Sequence, residues 1–550
     1  MKKNFFSKAS LALLVASSMG GAVMASAATT PGTDPTTDRT LTIHANGGNS
    51  DQANAGQNKT GENNDSMNGV NPIKNITFSA TQIQPTGSAA DMDVTDTSTY
   101  SIVGTPKSGT TDETGTVKLD FGTDNDGYYI IHQVTESDGI TQMKDFIVQI
   151  PLNLSGVTDD GGWNYDVNVY PKLDADQDSG SDKTVGGFDD DTDKQGSVFA
   201  GQDVTWNLAT VFSKTMRAKN DDGFIYGKFV LTDQLNKDLA YKSIDFSVGI
   251  QNTTDNKFSK ITKVSLEKDK DYNLSYTGDT DGYGGKVVLT LTNSGIDKVL
   301  DNYITPGENE RFMFIPNMTT TVSPNFGYGQ IGNSFSGDID NAFDTDLGFD
   351  PANPDDPNTP PGTNNPPTET PEVYLGAVRI KKVDSVSKNT LAGATFAIAT
   401  SEENAKAGKY AQIADDGTVY ATIDEVPEGI TTKDYLVISG EDGIAEFDGL
   451  ELTDFQTPGN GTDVSQANTS YWLKETQAPK GYDLIPNAFE VQASIDPSTV
   501  VSDVDNNLGG GNIDLPFTGG HGLLTLVIVG GVTLTGGTLL TLRRRKNTAE

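Results

Sequence analysis

The sequence predicts an all-β protein made of tandem immunoglobulin-like β-sandwich domains. Glycine is frequent, with 59 among 550 residues, and Asp-Gly and Asn-Gly pairs mark turns between short runs rich in Val, Ile, Thr and Tyr. Residues 41–43, 146–150, 229–231 and 286–291 are representative strands. Helical periodicity is weak away from the chain ends, and residues 401–406 are the best short helix candidate.

The first 27 residues have the layout of a secretory signal peptide. Lys2, Lys3 and Lys8 supply a basic start, and residues 9–16 form a largely apolar run. The small residues Ala-Ser-Ala at 25–27 then provide a cleavage site. The sequence therefore predicts export, with cleavage after Ala27.

The C-terminal end predicts a membrane anchor. Residues 522–542 carry no charge, and about 21 residues at roughly 1.5 Å each span a hydrocarbon core of about 30 Å. Basic residues follow at 543–546. Because positive residues stay on the cytoplasmic side, the preceding chain is expected to face outward.

Composition excludes several functional classes. The 39 basic and 76 acidic side chains give a net charge of -37, which disfavours nucleic acid and anionic membranes as partners. With no cysteine, an exported chain has no disulfides to brace its domains. The three histidines lie beside no plausible nucleophile or metal cluster. We therefore predict no enzyme activity toward an external substrate, no cofactor and no metal.

Changes in composition divide the chain. Residues 351–371 hold eight prolines and no large apolar residue, which indicates a semi-rigid extended linker. The Asp/Gly/Ser-rich stretch 174–196 indicates another boundary. The predicted segments are a signal peptide (1–27), three domains (38–172, 173–348 and 372–508), a linker between the second and third domains (349–371), and a C-terminal segment (515–550).

Two distant motifs bear on function. Residues 163–172 read WNYDVNVYPK and end in a lysine amine. They match every fixed position of WxxxVxVYPK, the pilin motif of Gram-positive pilus backbone subunits. The LPxTG sorting signal read by sortases is matched by Leu515, Pro516, Phe517, Thr518 and Gly519. The chain thus resembles a sortase-assembled major pilin, and the 515–550 segment resembles a sorting signal with its membrane span and basic tail.

This resemblance implies a polymerisation reaction. A sortase cysteine attacks the Thr518 carbonyl, and Lys172 of the next copy resolves the thioester. The implied partners are a pilin-class sortase, a housekeeping sortase, other copies of this chain, peptidoglycan, minor pilins and host ligands. The implied location is a pilus anchored to the cell wall. The alternative is a monomeric wall-anchored adhesin, which shares the sorting signal but has no use for Lys172.

The pilin motif itself predicts a strand. Alternation of Val167 and Val169 is expected to bury one face. Pro171 is expected to end the strand and present Lys172 at a domain edge.

The C-terminal domain resembles a B-type collagen-adhesin domain through residues 378–384, 391–396 and 471–482. In that family a lysine and an Asn or Asp form a spontaneous amide bond with help from a glutamate. The resemblance implies Lys382 as the amine and Glu475 as the acid. Asp503, in phase with Val501, is the favoured acceptor, and Asn506 is the alternative.

The middle domain resembles the A-type counterpart, which implies Lys183 as the amine, Asp233 as the acid and Asn333 as the acceptor. The chemistry requires burial, because an apolar setting lowers the pKa of a lysine and raises that of a carboxyl group. In the first domain, Ala45 stands where the lysine is expected and Gln133 where the glutamate is expected. We therefore expect no such bond in the first domain.

Overall fold

The computed structural model describes most of the chain between residues 32 and 509. The described ranges are 32–47, 60–63, 72–137, 139–140, 142–155, 162–173, 180–188, 194–279, 282–343, 347, 371–453, 468–499 and 501–509. These residues divide into two compact units, of which one ends at Leu173. The other continues from there and also takes in residues 136–141.

The first unit contains twelve strands. They are β1 (Arg39–His44), β2 (Asn46–Gly47), β3 (Thr77–Pro85), β4 (Tyr100–Ile102), β5 (Lys107–Thr110), β6 (Thr116–Gly122), β7 (Gly127–Gln133), β8 (Phe146–Ile150), β9 (Leu152–Asn153), β10 (Trp163–Asn164), β11 (Asp166–Val169) and β12 (Lys172–Leu173). One sheet has the order β11-β1-β6, and a second has the order β4-β3-β7-β8 with β5 paired to β3. Leu41, Ile43, Leu119 and Ile131 are buried in its core.

The middle part of the second unit is a sandwich of two sheets. Its elements are β13 (Ser181–Val185), β14 (Gln195–Ser197), β15 (Asp203–Val211), β16 (Arg217–Asn220), β17 (Gly223–Tyr226), β18 (Lys228–Gln234), β19 (Leu239–Asn252), β20 (Phe258–Lys263), β21 (Tyr272–Thr277), β22 (Lys286–Leu291), α1 (Asn293–Asp301), β23 (Glu310–Val322), β24 (Gly329–Gly332) and β25 (Phe335–Asp340). The sheets have the orders β13-β15-β23-β19-β20 and β21-β22-β18-β25. Phe229 of one sheet packs edge to face on Phe314 of the other, with ring centroids 5.6 Å apart. Each such buried ring contributes about 1.5–3 kcal/mol.

The C-terminal part is a second sandwich. Its elements are β26 (Glu372–Asp384), β27 (Thr395–Ala399), α2 (Glu402–Ala407), β28 (Gln412–Ala414), β29 (Val419–Tyr420), β30 (Thr432–Asp434), β31 (Leu436–Ile438), β32 (Ile444–Glu451), β33 (Asn468–Gln477), β34 (Phe489–Ser494) and β35 (Ser502–Asn506). Strand β26 pairs with β32 on one side and, in parallel, with β35. Facing them are β34, β33, β27 and β31 in that order.

Strand β26 also belongs to the middle part of the unit. Its first residues pair in parallel with β14, from Gln195↔Glu372 to Ser197↔Tyr374. The same stretch pairs antiparallel with β24, where Gly332 faces Glu372. The proline-rich sequence indicates a spacer between two separate domains, but the structure joins the two sandwiches through this shared strand.

The all-β prediction is confirmed, and the helix expected at 401–406 is found as α2. The Ser401 hydroxyl caps α2 by accepting a hydrogen bond from the backbone N–H of Asn404. Helix α1 was not expected, because glycine and polar residues occupy much of it and only Gly295, Ile296 and Val299 are buried. Its start is fixed by Thr292, whose hydroxyl accepts from the backbone N–H of Gly295.

Three predicted segments fall wholly or almost wholly outside the described residues. They are the signal peptide at 1–27, the linker at 349–371, of which only residue 371 is described, and the sorting and anchoring segment at 515–550. Among the residues that the structure does describe, no helix is both long and apolar enough to cross a membrane.

Candidate functional site

The pilin motif forms three short strands rather than one. Strand β11 runs parallel to β1, with Val167 opposite Leu41. Strand β12 then pairs in parallel with β2, with Lys172 opposite Asn46. The expected burial of one face does not hold, because Val167 and Asn168 are both buried. Strand β1 covers one edge of this segment, and the backbone carbonyl of Gly61 accepts from the backbone N–H of Asn168 (2.8 Å).

The middle sandwich brings its three predicted residues together. Lys183 lies on β13, Asp233 lies on β18 of the facing sheet, and Asn333 lies between β24 and β25. Lys183 and Asn333 are fully buried, and Asp233 is 2% exposed. Lys183 Nζ donates to Asp233 Oδ2 and to the backbone carbonyl of Ser334 (3.2 Å). The amine and the acid therefore form a buried ion pair between the two sheets.

Asn333 completes this group. With its amide nitrogen donating to Asp233 Oδ1 at 2.9 Å, its amide oxygen accepts from Lys183 Nζ, also at 2.9 Å. This orientation satisfies both ends of the amide. It also places the electrophilic carbon beside the amine and the leaving nitrogen beside the acid.

Burial sets the electrostatics of the middle group. Desolvation lowers the pKa of Lys183 to about 8, although the Asp233 charge opposes that change. Desolvation also raises the pKa of Asp233, against the pull of Lys183. Both shifts favour the neutral amine and the protonated acid. The rings of Trp206 and Phe335, each with its centroid 5.5 Å from Lys183 Nζ, supply part of the apolar wall.

The C-terminal sandwich builds a similar group from different strands. Lys382 Nζ donates to Asn506 Oδ1 (2.5 Å) and to the backbone carbonyl of Val504 (3.0 Å). Glu475 reaches in from β33 on the facing sheet, and its Oε1 lies 3.7 Å from Lys382 Nζ. Asn506 Nδ2 donates to Glu475 Oε1 at 3.1 Å. The acid therefore contacts the nitrogen that would leave.

The pKa values shift in the same directions here. Desolvation lowers the pKa of Lys382 to about 8, and the Glu475 charge opposes that change. Desolvation raises the pKa of Glu475, although a hydrogen bond from the backbone N–H of Ile485 (2.7 Å) opposes the rise. The side chains of Lys382 and Glu475 are fully buried.

The structure places Asn506, and not Asp503, beside the amine. Strand β35 starts at Ser502, and its inward positions are Val504 and Asn506, whereas Asp503 is exposed. The expectation for Asp503 depends on the phase of Val501, which is itself 40% exposed. Since side chains alternate between faces along a strand, Asp503 points away from Lys382.

Both groups are arranged for amide formation. A proton moves from the lysine to the carboxylate, and the neutral amine can then attack the Asn carbonyl carbon. The carboxylic acid would give its proton to the leaving nitrogen, which departs as ammonia, and the carboxylate would take up the second proton of the attacking nitrogen, so that an amide N–H remains. The sequence patterns missed the two backbone carbonyls that orient the amines, at Ser334 and Val504, because a carbonyl has no residue signature.

The first unit holds different chemistry at the corresponding positions. Ala45 and Gln133 are both fully buried. The Gln133 amide donates to the backbone carbonyl of Thr135 (3.0 Å) and accepts from the backbone N–H of Met143 (3.2 Å). Gln133 is thus held by backbone groups and faces no amine in these contacts.

A buried ion pair lies elsewhere in the same unit. Arg39 Nε donates to Asp126 Oδ1 at 2.6 Å, and the side chains are 0% and 1% exposed. Nothing in the local sequence pattern predicts this pair, because its two residues lie 87 positions apart.

Within the described part of the chain, no group of three or more His, Asp or Glu side chains is placed to hold a metal ion.

Two protein-family models match the chain. One is described as the N-terminal domain D1 of Gram-positive pilin subunits and matches residues 36–172. The other is described as a prealbumin-like fold domain and matches residues 376–507.

Fimbrial proteins are among the relatives of this chain. The fimbrial subunit type 2 of Actinomyces naeslundii is 26% identical over 453 residues, which cover 78% of this chain and 71% of that protein. The fimbrial subunit type 1 of Actinomyces viscosus is 24% identical over 428 residues, which cover 75% of this chain and 72% of that protein.

Solved structures of major pilins also match. The full-length pilus protein RrgB of Streptococcus pneumoniae is 16% identical with a TM-score of 0.45, covering 88% of this chain and 99% of that one. The full-length major pilin SpaD of Corynebacterium diphtheriae is 21% identical with a TM-score of 0.35, covering 87% and 99%. Because these superpositions are loose, the assignment depends on the family domains and the fimbrial relatives. On that basis, residues 36–172 match the N-terminal domain of Gram-positive pilin subunits and end at the motif lysine, and the chain is similar to fimbrial subunits over most of its length.

Proposed function

We propose that this chain is the backbone subunit of a pilus that a sortase polymerises. A pilin-class sortase cleaves between Thr518 and Gly519 and holds the subunit as a thioester. Lys172 of the next copy attacks the Thr518 carbonyl, so that an amide bond forms and the sortase cysteine is released. A housekeeping sortase transfers the last subunit to peptidoglycan, and minor pilins and host ligands are further partners.

One observation carries this proposal. The matched N-terminal pilin domain ends at Lys172, and the first compact unit ends one residue later, at Leu173. The backbone of this short segment is fixed by its pairing with Asn46 and Gly47. A lysine at the end of a structured unit suits a nucleophile that another enzyme must reach, and LPFTG at 515–519 offers the matching acyl donor.

The test compares cell-wall extracts from strains that make the native chain, Lys172→Ala or Lys144→Ala. Lys144 is the matched control, because it is an exposed lysine of the same unit. After boiling in detergent, we expect a high-mass ladder for the native chain and for Lys144→Ala, and only monomer for Lys172→Ala. A monomer band in all three strains would favour the monomeric wall-anchored adhesin.

We further propose that each sandwich of the second unit closes its own amide bond. Lys183 joins Asn333 with Asp233 as the acid, and Lys382 joins Asn506 with Glu475 as the acid. The contacts of each amine with its Asn oxygen, and of each acid with the Asn nitrogen, support this pairing. The first unit forms no such bond.

Intact mass spectrometry of the purified chain tests these bonds. We expect the mass to fall by one ammonia for each bond, and by two in total. Asp233→Ala and Glu475→Ala should each restore one ammonia, and the matched Asp503→Ala variant should keep both losses. Loss of water in place of one ammonia, abolished by Asp503→Ala, would return the acceptor role to Asp503.

A further inference from the structure

His44 and Tyr170 form a stacked pair beside the linking lysine. The ring centroids are 4.5 Å apart, and the ring planes differ by 8°. His44 is the last residue of β1 and is 7% exposed. Tyr170 lies two residues before Lys172 in the chain. The stack therefore joins the core strand β1 to the end of the pilin motif.

Hydrogen bonds fix the orientation of the imidazole. His44 Nε2 lies 3.0 Å from Asn168 Oδ1. The amide nitrogen of Asn168 donates to the backbone carbonyls of Asp166 (3.1 Å) and Gly61 (3.4 Å). Because these carbonyls fix the amide, its oxygen must accept, and His44 Nε2 must carry the proton. The Nδ1 atom is then free to accept from the Thr116 hydroxyl (3.4 Å).

The stack bears directly on the backbone at Lys172. Pro171 connects the two residues, and its ring restricts the backbone to a narrow range of φ. The position of the Tyr170 ring therefore limits the direction in which the chain enters Lys172. On the other side, Asn46 follows His44 by two residues and pairs with Lys172. One short segment of β1 and β2 thus holds both ends of the Tyr-Pro-Lys sequence.

We propose that His44 is a positioning residue for the intermolecular cross-link. Its ring supports the Tyr170 ring and so keeps the Lys172 backbone where a sortase thioester can be attacked. This inference rests on the proposed function, because it concerns the same amine. The flat surface of the ring, rather than its hydrogen bonds, is the property that matters.

The test separates stacking from stability. His44→Leu and His44→Phe both lose the contacts with Asn168 and Thr116, but only phenylalanine keeps a flat ring against Tyr170. In cells that make the full chain, a pulse-chase follows the conversion of newly made monomer to ladder. We expect His44→Leu to slow this conversion at least about fivefold, since small displacements of a reacting group carry large rate costs. His44→Phe should stay within about twofold of the native rate.

Control variants separate a loss of positioning by His44 from a loss of folding and from a failure of the proposed function. His132→Leu changes an exposed histidine of the same unit and should leave the rate unchanged. Protease resistance of the secreted monomer reports folding, and if His44→Leu does not fold, Tyr170→Leu against Tyr170→Phe repeats the comparison from the other ring. Equal slowing by both replacements at a position, or no slowing by either, would overturn the inference alone. A ladder that survives in Lys172→Ala would overturn the proposed function and this inference with it.

Discussion

The first unit and the two sandwiches of the second unit brace themselves with different cations. The first unit buries Arg39 against Asp126. The sandwiches bury Lys183 and Lys382, each against an acid and an asparagine. All three cations are removed from water, but only the lysines can become neutral nucleophiles, because a guanidinium stays protonated in proteins. The same burial therefore yields a reversible ionic contact in one region and allows a permanent bond in the other.

Loss of the acid in the C-terminal sandwich should give the largest change in unfolding free energy. Glu475→Gln keeps the shape of the side chain but removes the proton transfer that the amide bond needs. Lys382 and Asn506 are separated by 124 positions, and a cross-link closing a loop of about that length is worth on the order of 4–5 kcal/mol in the chain-entropy account. Calorimetry should show that loss of unfolding free energy in the C-terminal transition, together with one restored ammonia.

Asp503→Asn is the matched control for that experiment, because it changes an exposed carboxylate on the opposite face of β35. It should leave both the mass and the transition unchanged. If Glu475→Gln kept the bond, the acid would have no part in its formation.

Loss of the carboxylate in the first unit should be the next largest effect. Asp126→Asn leaves the Arg39 charge buried without its counter-ion, which typically costs about 3–5 kcal/mol. The first-unit transition should move to lower temperature while the mass of the chain changes only by the substitution. Asp145→Asn alters a partly exposed carboxylate of the same unit and should cost at most about 0.5 kcal/mol. Equal effects of the two replacements would mean that the buried pair is not a brace.

The pH dependence of bond formation should give the smallest effect in free energy. Lys382 and Glu475 can share one proton in two ways, as a charged amine with a carboxylate or as a neutral amine with a carboxylic acid. Both forms hold the same number of protons, so their ratio does not change with pH as long as the pair keeps this shared proton. Above the Lys382 pKa of about 8, the pair loses this proton, and no protonated Glu475 remains to protonate the leaving nitrogen. Below the raised pKa of Glu475, the amine stays charged. The rate should be flat between these limits and fall about tenfold per pH unit outside them.

The measurement would use chain purified unfolded, diluted into buffers of different pH and quenched for mass analysis. The first unit provides the internal comparison, because its peptides should show no ammonia loss at any pH. A rate that kept rising toward pH 10 would indicate an ordinary hydrated lysine that needs no acid.

Much of this arrangement can be predicted from the sequence, because the residues within each motif determine both the strand and which of its side chains are buried. The apolar residues around Lys382 and Glu475 mark strands that bury a cation and an acid, and the alternation along β35 places Asn506 on the buried face. The preference for Asp503 rests on the phase of Val501, which lies just before the strand, whereas the structure places Asn506 beside Lys382. One residue of shift exchanges the two faces of a strand.

Other features could not be predicted in this way. Contacts between distant segments, such as Arg39 with Asp126 or His44 with Tyr170, depend on how strands pair. Strand pairing depends in turn on the whole sandwich. The shared strand β26 was missed for a different reason. Eight prolines indicate a spacer, but a spacer's composition does not show whether the strand after it rejoins the earlier domain.

That shared strand has a mechanical consequence if the proposed bonds form. Tension entering at Lys172 would reach Lys183, cross to Asn333, follow the chain to Lys382 and cross again to Asn506. Most of each sandwich would be bypassed. The first unit precedes Lys172 in the chain and would not carry this tension, so a reversible ionic contact would be sufficient there.

The chain from Asn333 to Lys382 is the long stretch that would remain under load. Its two ends are held close by the pairing of Gly329–Gly332 and Gln195–Ser197 with the start of β26. Because β25 stays paired with β18, peeling those few hydrogen bonds would free only the roughly 30 residues between β25 and β26, or about 100 Å of chain at about 3.3 Å each, before any cross-linked sandwich opened. A fibre of such subunits would then stretch under load and recoil afterwards, although each subunit would be covalently cross-linked.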